Sequence, residues 1–170
     1  PRWMPRNGWR IDPALALAHM RQESNFRADV VSSAGAVGLM QVLPVTANQM
    51  ARRNGYDAGS LYDPYANIEY GQSFIETMRV SSATQGQLPK IIAAYNAGPL
   101  PVARWSYMAP TDPLLWIESI PYWETRYYVP AVFRNLWVYQ GLANAETPTL
   151  TSLAQHPWPE FPVARTNFAQ

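Results

Sequence analysis

Residues 12–23, with the sequence DPALALAHMRQE, predict a short helix that is apolar on almost every face and ends at one acid, Glu23. Asp12 and Pro13 form a typical helix start, because an Asp side chain caps free amide groups and proline fits the first helical position. A helix that is apolar all round is normally buried. The sequence therefore predicts a core built around a helix whose last residue is a carboxylate.

The predicted position of Glu23 bears on its chemistry. Burial disfavours a charged carboxylate, and so does the negative end of the helix dipole. Both effects raise the pKa of a carboxyl group, as a general acid that works near neutral pH requires. The same position also fits an ordinary exposed glutamate in a last turn, with Ser24-Asn25 as the exit from the helix. Position alone leaves both interpretations open.

Composition limits the class of protein. The 170 residues favour one domain with a tail, and 48% of them are hydrophobic, enough for a substantial core. Seven Trp and ten Tyr fit either buried packing or a carbohydrate groove, where sugar rings stack on aromatic faces. The net charge is +1 and no basic run indicates nucleic-acid binding. The lack of cysteine excludes disulfides, thiolate metal sites and a cysteine nucleophile.

The whole chain predicts a mainly α-helical fold of six to eight helices with a small β-hairpin region near residues 24–37. Further helices are predicted at residues 44–53, 64–78, 88–95, 102–105, 113–118 and 121–141. Pro130 is expected to kink or divide the last of these helices, because proline removes a helical hydrogen bond. Residues 147–170 are rich in proline and lack a helical period, so they are predicted as a tail behind a domain of residues 1–146.

Other chemical sites are weakly indicated. The two histidines, His19 and His156, are far apart and have no partner at metal-ligand spacing. His19 lies on an apolar helix and is expected to be a core residue. Residues 94–98, AYNAG, fit a plain helix end. Glu124 opens the last long helix, where it is either a solvated first-turn acid, a carboxylate that favours the positive helix end, or a partner of Arg126 or another arginine.

Four sequence blocks, taken together, are far more specific than any one of them. The blocks are Glu23-Ser24-x-Phe26; Ser32-x-Ala34-Gly35-Ala36-x-Gly38-Leu39-Met40-Gln41 followed by Pro44-x-Thr46-Ala47; Ala93-Ala94-Tyr95-Asn96-Ala97-Gly98-Pro99; and Trp116-Ile117-Glu118-Ser119-Ile120-Pro121-Tyr122 with Glu124-Thr125-Arg126 and Tyr128-Val129. In this order, over residues 12–142, they resemble the catalytic domain of soluble Slt-like lytic transglycosylases, which are of the goose-lysozyme-like type.

The resemblance implies a lysozyme-like fold and an enzyme that acts on the glycan strands of peptidoglycan. It implies cleavage of the β-1,4 bond between N-acetylmuramic acid and N-acetylglucosamine without water, which leaves a 1,6-anhydromuramic end. Glu23 matches the catalytic acid and base. The residues that match the lining of the sugar groove are Ser32, Gln41, Tyr95, Asn96, Glu124 and Tyr128.

The same resemblance implies no cofactor, no metal and no nucleic-acid partner. It implies a monomeric, exported or periplasmic domain that faces the cell wall, with a targeting segment outside this chain. The chain begins at Pro1, so we expect it to be part of a larger parent chain or cell-wall complex.

The sequence offers one carboxylate in a suitable position, that of Glu23, and this number agrees with the reaction. A glycoside hydrolase normally uses two carboxylates that flank the scissile bond, and here Asp29 is the nearest candidate for a second one. A single glutamate suffices if the sugar's own 6-hydroxyl is the nucleophile. Two alternatives stay open: a hydrolytic muramidase on a related fold, and a peptidoglycan-binding module without turnover.

Overall fold

The computed structural model describes residues 3–55, 59–109 and 111–162, and these residues form eight helices. The helices are α1 (Pro13–Glu23), α2 (Pro44–Asn54), α3 (Pro64–Arg79), α4 (Leu88–Ala97), α5 (Pro99–Trp105), α6 (Pro113–Glu118), α7 (Trp123–Leu142) and α8 (Pro148–Ala154). The prediction of a mainly helical fold is confirmed. The described residues group into two compact units, one within residues 1–74 and the other Ile75–Pro162.

The helix that organises the first unit, α1, begins and ends where the sequence predicts. The Oδ1 atom of Asp12 accepts a hydrogen bond from the Ala14 amide at 2.8 Å, and Pro13 occupies the first turn. Residues 13–20 are buried except for the half-buried Leu17. The apolar residues on every side of α1 therefore all find core contacts.

The segment after α1 contains little regular strand. Val37 forms antiparallel bridges with both Val31 and Val42. The Val37 and Val42 amides each donate to the carbonyl of the other residue at 3.0 Å. The predicted hairpin region is thus present as isolated bridges around one central valine.

The two remaining helices of the first unit have bounds within one residue of the predicted ones. α2 begins at Pro44 and ends at Asn54, and the next residue, Gly55, has a left-handed φ of 76° that glycine adopts without strain. α3 follows Asp63, whose Oδ1 atom accepts a hydrogen bond from the Tyr65 amide at 3.1 Å. Proline and aspartate at the starts, and glycine at the stop, were sufficient sequence signals here.

In the second unit, α4 packs against α5 and α7, and α6 packs against α7. α5 begins at Pro99, three residues before its predicted start. α6 has its predicted bounds, because Asp112 accepts hydrogen bonds from the amides of Leu114 at 2.9 Å and Leu115 at 3.0 Å. These contacts place α4, which carries the AYNAG block, against the helix that carries Glu124.

The long helix α7 corrects two expectations. It begins at Trp123, two residues after Pro121, and it continues through Pro130 without a break. Pro130 was predicted to kink or divide the helix, and the prediction of a division is wrong. Burial of Val129, Val132 and other residues on both sides of the proline outweighs the lost hydrogen bond, which costs about 3 kcal/mol.

The structure at the start of the predicted tail also differs from the prediction. Residues 148–154 form α8, where the sequence predicted no helix. Thr149 and Leu153, four residues apart, are buried, and the Trp137 indole donates to the Thr149 hydroxyl at 3.0 Å. Residues 163–170 lie outside the described residues, so the division into a domain of residues 1–146 and a tail of residues 147–170 stays a prediction.

Candidate functional site

The predicted catalytic residue, Glu23, is half-buried and is the last residue of α1. The chain turns sharply after it: Asn25 and Phe26 have positive φ angles of 52° and 64°. Such angles are uncommon for residues other than glycine and indicate backbone strain. The turn ends α1 at Glu23 instead of allowing the helix to continue.

Ser24 ties the end of α1 to the second sequence block. Its buried hydroxyl donates to the Leu39 carbonyl at 2.8 Å, and its amide donates to the Met20 carbonyl at 3.1 Å. The backbone beside Glu23 is therefore held directly against the Gly38–Gln41 turn. This link explains why a serine follows the glutamate.

Gln41 and Ser32 lie in the same irregular segment. The Gln41 side chain donates through Nε2 to the carbonyls of Val30 at 3.1 Å and Gly38 at 2.9 Å, and its own φ is 47°. The Ser32 hydroxyl accepts a hydrogen bond from the Ala36 amide at 3.0 Å. Both predicted substrate-binding side chains thus also hold their local turn, and the part of Gln41 left to meet a sugar is its carbonyl Oε1.

Sequence reasoning missed Asn67, a fully buried residue of α3 that holds this turn. Its Oδ1 atom accepts from the Met40 amide at 2.8 Å, and its Nδ2 atom donates to the carbonyls of Val37 at 2.8 Å and Leu61 at 2.9 Å. The available signal was Gly38, which has a φ of 77° and no room for a side chain, since a Cβ atom there would lie 2.5 Å from Asn67 Nδ2.

Three of the four other described carboxylates of the first unit have structural roles, and the fourth, Asp29, is exposed. Asp12 caps α1, as predicted, and Asp63 caps α3. The buried Glu69 accepts from the Arg10 guanidinium and from the Asn7 amide at 3.0 Å. Asp29 is exposed and lies 3.6 Å from the Arg27 guanidinium. Glu23 therefore stands apart from them by its place at a helix end beside the Gly38–Gln41 turn.

His19 is buried in α1 one turn before Glu23. Burial lowers the pKa of His19 from its ordinary value of 6.5 to about 3, because the interior disfavours the charged imidazolium. The imidazole is neutral at physiological pH, in agreement with the expected core role.

The second unit brings together two predicted groove residues. The Asn96 amide donates to Glu124 Oε1 at 3.1 Å, and its Oδ1 atom accepts from the Thr125 hydroxyl at 2.6 Å. Glu124 is in the first turn of α7, as predicted, but it pairs with Asn96 and not with Arg126, which donates to the Ile120 carbonyl at 2.8 Å. The AYNAG block is thus more than a helix stop.

Two further predicted groove residues are tyrosines of the second unit. Tyr95 is half-buried on α4, beside Asn96. Tyr128 is buried on α7, one turn after Glu124. The four predicted groove residues of this unit therefore lie on the facing helices α4 and α7.

The Transglycosylase SLT domain family matches residues 4–112 of the chain, which is more than half of it. The chain belongs to this family. The family predicted from the four sequence blocks is therefore confirmed.

The chain is similar to Escherichia coli proteins over most of its length. It is 35% identical over 155 residues to the soluble lytic murein transglycosylase of Escherichia coli K12, covering 88% of this chain and 24% of that protein. The crystal structure of the 70 kDa soluble lytic transglycosylase of Escherichia coli has a TM-score of 0.77 and 32% identity, covering 92% of this chain and 25% of that one. This structural similarity confirms the predicted lysozyme-like fold.

A second solved structure is an inactive mutant of the lytic transglycosylase Slt from Pseudomonas aeruginosa, in which glutamine replaces one glutamate. Its TM-score is 0.73 at 32% identity, and the similarity covers 90% of this chain and 24% of that one. The SLT domain thus spans about a quarter of the length of these relatives.

Proposed function

We propose that this SLT domain is a peptidoglycan lytic transglycosylase. It cleaves the β-1,4 bond between N-acetylmuramic acid and N-acetylglucosamine without water and leaves a 1,6-anhydromuramic end. Glu23 acts alone, first as acid and then as base. The observation that carries the proposal is the position of Glu23, the last residue of α1, in the part of the chain that the family matches.

The similar proteins support the reaction class. The Escherichia coli relatives are lytic transglycosylases, one of them named for murein. The Pseudomonas aeruginosa enzyme is inactive after one glutamate becomes glutamine, a change that removes a carboxylate and little else. An essential glutamate in that enzyme agrees with the role proposed for Glu23.

The proposed chemistry needs only one protein carboxyl group. Protonated Glu23 gives its proton to the glycosidic oxygen as the bond to C1 of muramic acid breaks. The ionised Glu23 then takes the proton from the 6-hydroxyl of the same sugar, and this oxygen bonds to C1. The attack is intramolecular, so it gains an effective concentration that an outside water does not have. The structural roles of Asp12, Asp63 and Glu69 support a mechanism without a second carboxylate.

Sugar binding is assigned to Ser32 and Gln41 in the first unit and to Tyr95, Asn96, Glu124 and Tyr128 in the second. The Asn96–Glu124 hydrogen bond orients an amide and a carboxylate toward each other, and both are groups that bind sugar hydroxyls and acetamido groups. The Gln41 turn offers a carbonyl oxygen, which accepts hydrogen bonds from such groups.

We further propose that the domain works in the periplasm or otherwise outside the cytoplasm, where peptidoglycan lies, as a monomeric catalytic part of a larger chain or complex. Among residues 3–55, 59–109 and 111–162, no helix has both the length and the hydropathy needed to cross a bilayer.

Mass spectrometry of the products released from purified peptidoglycan tests the reaction. We expect muropeptides that end in 1,6-anhydromuramic acid, which are lighter by one water than hydrolysis products. Reducing muramic ends would instead make the domain a muramidase. The absence of any released product, with retained binding to peptidoglycan, would make it a binding module.

A further inference from the structure

Two large aromatic side chains lie exposed at the start of α7. Trp123 and Tyr127 are 67% and 57% exposed, and their ring centroids are 4.4 Å apart at an interplanar angle of 59°. They are four residues apart, so they occupy one face of the helix. The two rings therefore form a paired aromatic surface, which we call the Trp123–Tyr127 platform.

The fold itself does not explain this platform. The neighbouring Tyr122 is 52% exposed but packs edge-on against the buried Trp105, with ring centroids 4.8 Å apart, so the fold accounts for the position of that ring. The rings of Trp123 and Tyr127 instead contact each other and solvent. A contiguous exposed apolar patch with polar residues at its rim is a feature of ligand-binding grooves and interaction sites.

The platform continues directly into proposed substrate-binding residues. Glu124 follows Trp123, and Tyr128 follows Tyr127, so the two pairs form neighbouring stripes along the first turns of α7. Glu124 in turn is hydrogen-bonded to Asn96 at 3.1 Å. A sugar that contacts the Asn96–Glu124 pair therefore has the platform beside it on the same helix.

We propose that the Trp123–Tyr127 platform is an additional binding site for a sugar ring of the glycan strand. This inference rests on the proposed function. The apolar C–H face of a pyranose ring stacks on an aromatic ring, while its edge hydroxyls stay in water or meet Glu124. The Tyr127 hydroxyl and the Trp123 indole N–H provide polar groups at the edge of the platform.

The chemistry of the platform disfavours other occupants. Two side chains give far less contact area than the roughly 800 Å² per partner of a stable protein interface. A carbohydrate strand needs no such area, because each bound ring adds its own small contribution along an extended site. The glycan is therefore the occupant that the size and position of the platform fit.

Sedimentation with purified peptidoglycan tests the platform separately from turnover. The Glu23→Gln chain is the reference, so that no cleavage occurs during binding. We expect the further changes Trp123→Ala and Tyr127→Ala together to weaken binding about tenfold, equivalent to about 1.4 kcal/mol. We expect Trp123→Phe with Tyr127→Phe to retain most of the affinity. Tyr62→Ala, at a tyrosine that is 56% exposed in the first unit, is the matched control and leaves binding unchanged.

Kinetics with the active enzyme gives a second readout. The double alanine variant should raise KM for long glycan strands more than for short oligosaccharides, with kcat nearly unchanged, because a short substrate need not reach the platform. If the variant and the wild type have the same KM for long strands, as they do for short oligosaccharides, the inference is wrong.

Light scattering completes the test. If the wild-type chain is a dimer that the double alanine variant converts to monomers, while binding to peptidoglycan is unchanged, the platform is a self-association surface and the inference is wrong. Products without the anhydro bridge would overturn the proposed reaction, whereas the sedimentation result would still decide whether the platform binds glycan.

Discussion

The side chain of Asn67 holds the backbone of Met40: its Oδ1 atom accepts a hydrogen bond from the Met40 amide at 2.8 Å. Its Nδ2 atom donates to Val37 and Leu61, so one buried side chain joins three positions of the first unit. On its other side, the turn at Met40 is tied through Leu39 to Ser24, next to Glu23. Asn67 thus positions the Gly38–Gln41 turn, which in turn holds the end of α1.

Replacing Asn67 by aspartate should lower the free energy of unfolding by several kcal/mol. The change removes both N–H donors of Nδ2. The Leu61 carbonyl then loses its donor, which costs roughly 1–3 kcal/mol, whereas the Val37 carbonyl keeps only its bond from the Val42 amide. It also places a carboxylate in the core, which adds a desolvation cost. Urea denaturation measures the loss. Asn48→Asp, on the exposed surface of α2, is the control and should change stability by less than about 0.5 kcal/mol. Equal midpoints for the two variants would show that the Asn67 bonds contribute nothing.

Glu23→Gln should abolish formation of anhydromuramic products. Glutamine keeps the shape of the side chain but provides no proton to the glycosidic oxygen and accepts none from the 6-hydroxyl. Acid–base catalysis by one group contributes about 10²–10⁴-fold, so we expect a loss of roughly a thousandfold or more in kcat. Product analysis by mass spectrometry provides the measurement, and circular dichroism and peptidoglycan sedimentation should be unchanged. Glu160→Gln, at an exposed glutamate, is the control; near-normal turnover by Glu23→Gln would refute the mechanism.

Gly71→Ala should destabilise the chain through Met40. Gly71 lies on α3, where an added Cβ atom would overlap the Met40 sulfur and lie 2.8 Å from its Cε atom. Overpacking of this kind costs about 1–3 kcal/mol. We expect Gly141→Ala on α7, where no atom lies within 4 Å, to be stabilising instead by up to about 1 kcal/mol.

A double-mutant cycle tests the cause of the Gly71 effect. If the clash with Met40 is responsible, Gly71→Ala should cost much less when Met40 is also alanine. Thermal or urea unfolding of the four chains provides the measurement. If the losses of stability in Gly71→Ala and Met40→Ala simply add in the double variant, a contact other than Met40 limits the space at Gly71.

The parts of the fold that local chemistry controls were predictable from the sequence. Asp12 and Pro13 start α1, and Gly55 stops α2, because capping and left-handed φ depend on the residue itself. The end of α1 at Glu23, the proposed catalytic residue, was predicted from Ser24-Asn25 as the exit from the helix. The order of the four sequence blocks then identified the family, although no single block is specific.

The parts that depend on distant contacts were not predictable. Asn67 looks like any polar residue of a helix, and its role appears only when Met40, 27 residues away, folds against it. Asn96 and Glu124 are 28 residues apart, so the sequence offered Arg126 as an equally good partner. α8 was missed because its signal is only two buried positions, Thr149 and Leu153, among several prolines.

Trp158→Ala should destabilise the second unit, because this ring covers a buried lysine. The Lys90 ammonium lies 4.7 Å from the Trp158 ring centroid and 5.8 Å from that of Trp116, and burial lowers the pKa of Lys90. Nearby, the Leu88 amide donates to the Pro159 carbonyl at 3.0 Å, which holds this C-terminal segment at the start of α4. We expect a loss of about 2–4 kcal/mol, from the cation–π contact and the lost apolar packing.

Two further variants test whether the loss of stability comes from the contact between Trp158 and Lys90. Trp123→Ala removes an exposed indole and should change the free energy of unfolding by less than about 0.5 kcal/mol. Lys90→Met removes the buried charge, so Trp158→Ala should cost less in that background. The same cost in both backgrounds would show that Trp158 stabilises the unit without the lysine.

The stability of the chain should fall with decreasing pH because of His19. In the folded chain, burial lowers the pKa of this imidazole to about 3, whereas the unfolded chain has the ordinary value of 6.5. Below pH 6.5 the unfolded state therefore binds a proton that the folded state does not. The free energy of unfolding should be unaffected by His19 above this pH and should fall by up to about 1.4 kcal/mol per pH unit below it.

Urea denaturation between pH 7.5 and 4 measures the slope of the free energy of unfolding against pH. One proton contributes about 1.4 kcal/mol per pH unit to this slope. The slope of the His19→Gln variant should be smaller by that amount, because glutamine does not titrate. If that variant does not fold, nuclear magnetic resonance of the wild-type imidazole decides, because the His19 signals should keep their neutral positions throughout this range. A midpoint near the ordinary histidine pKa would mean that the folded chain opens to admit water and a proton to α1.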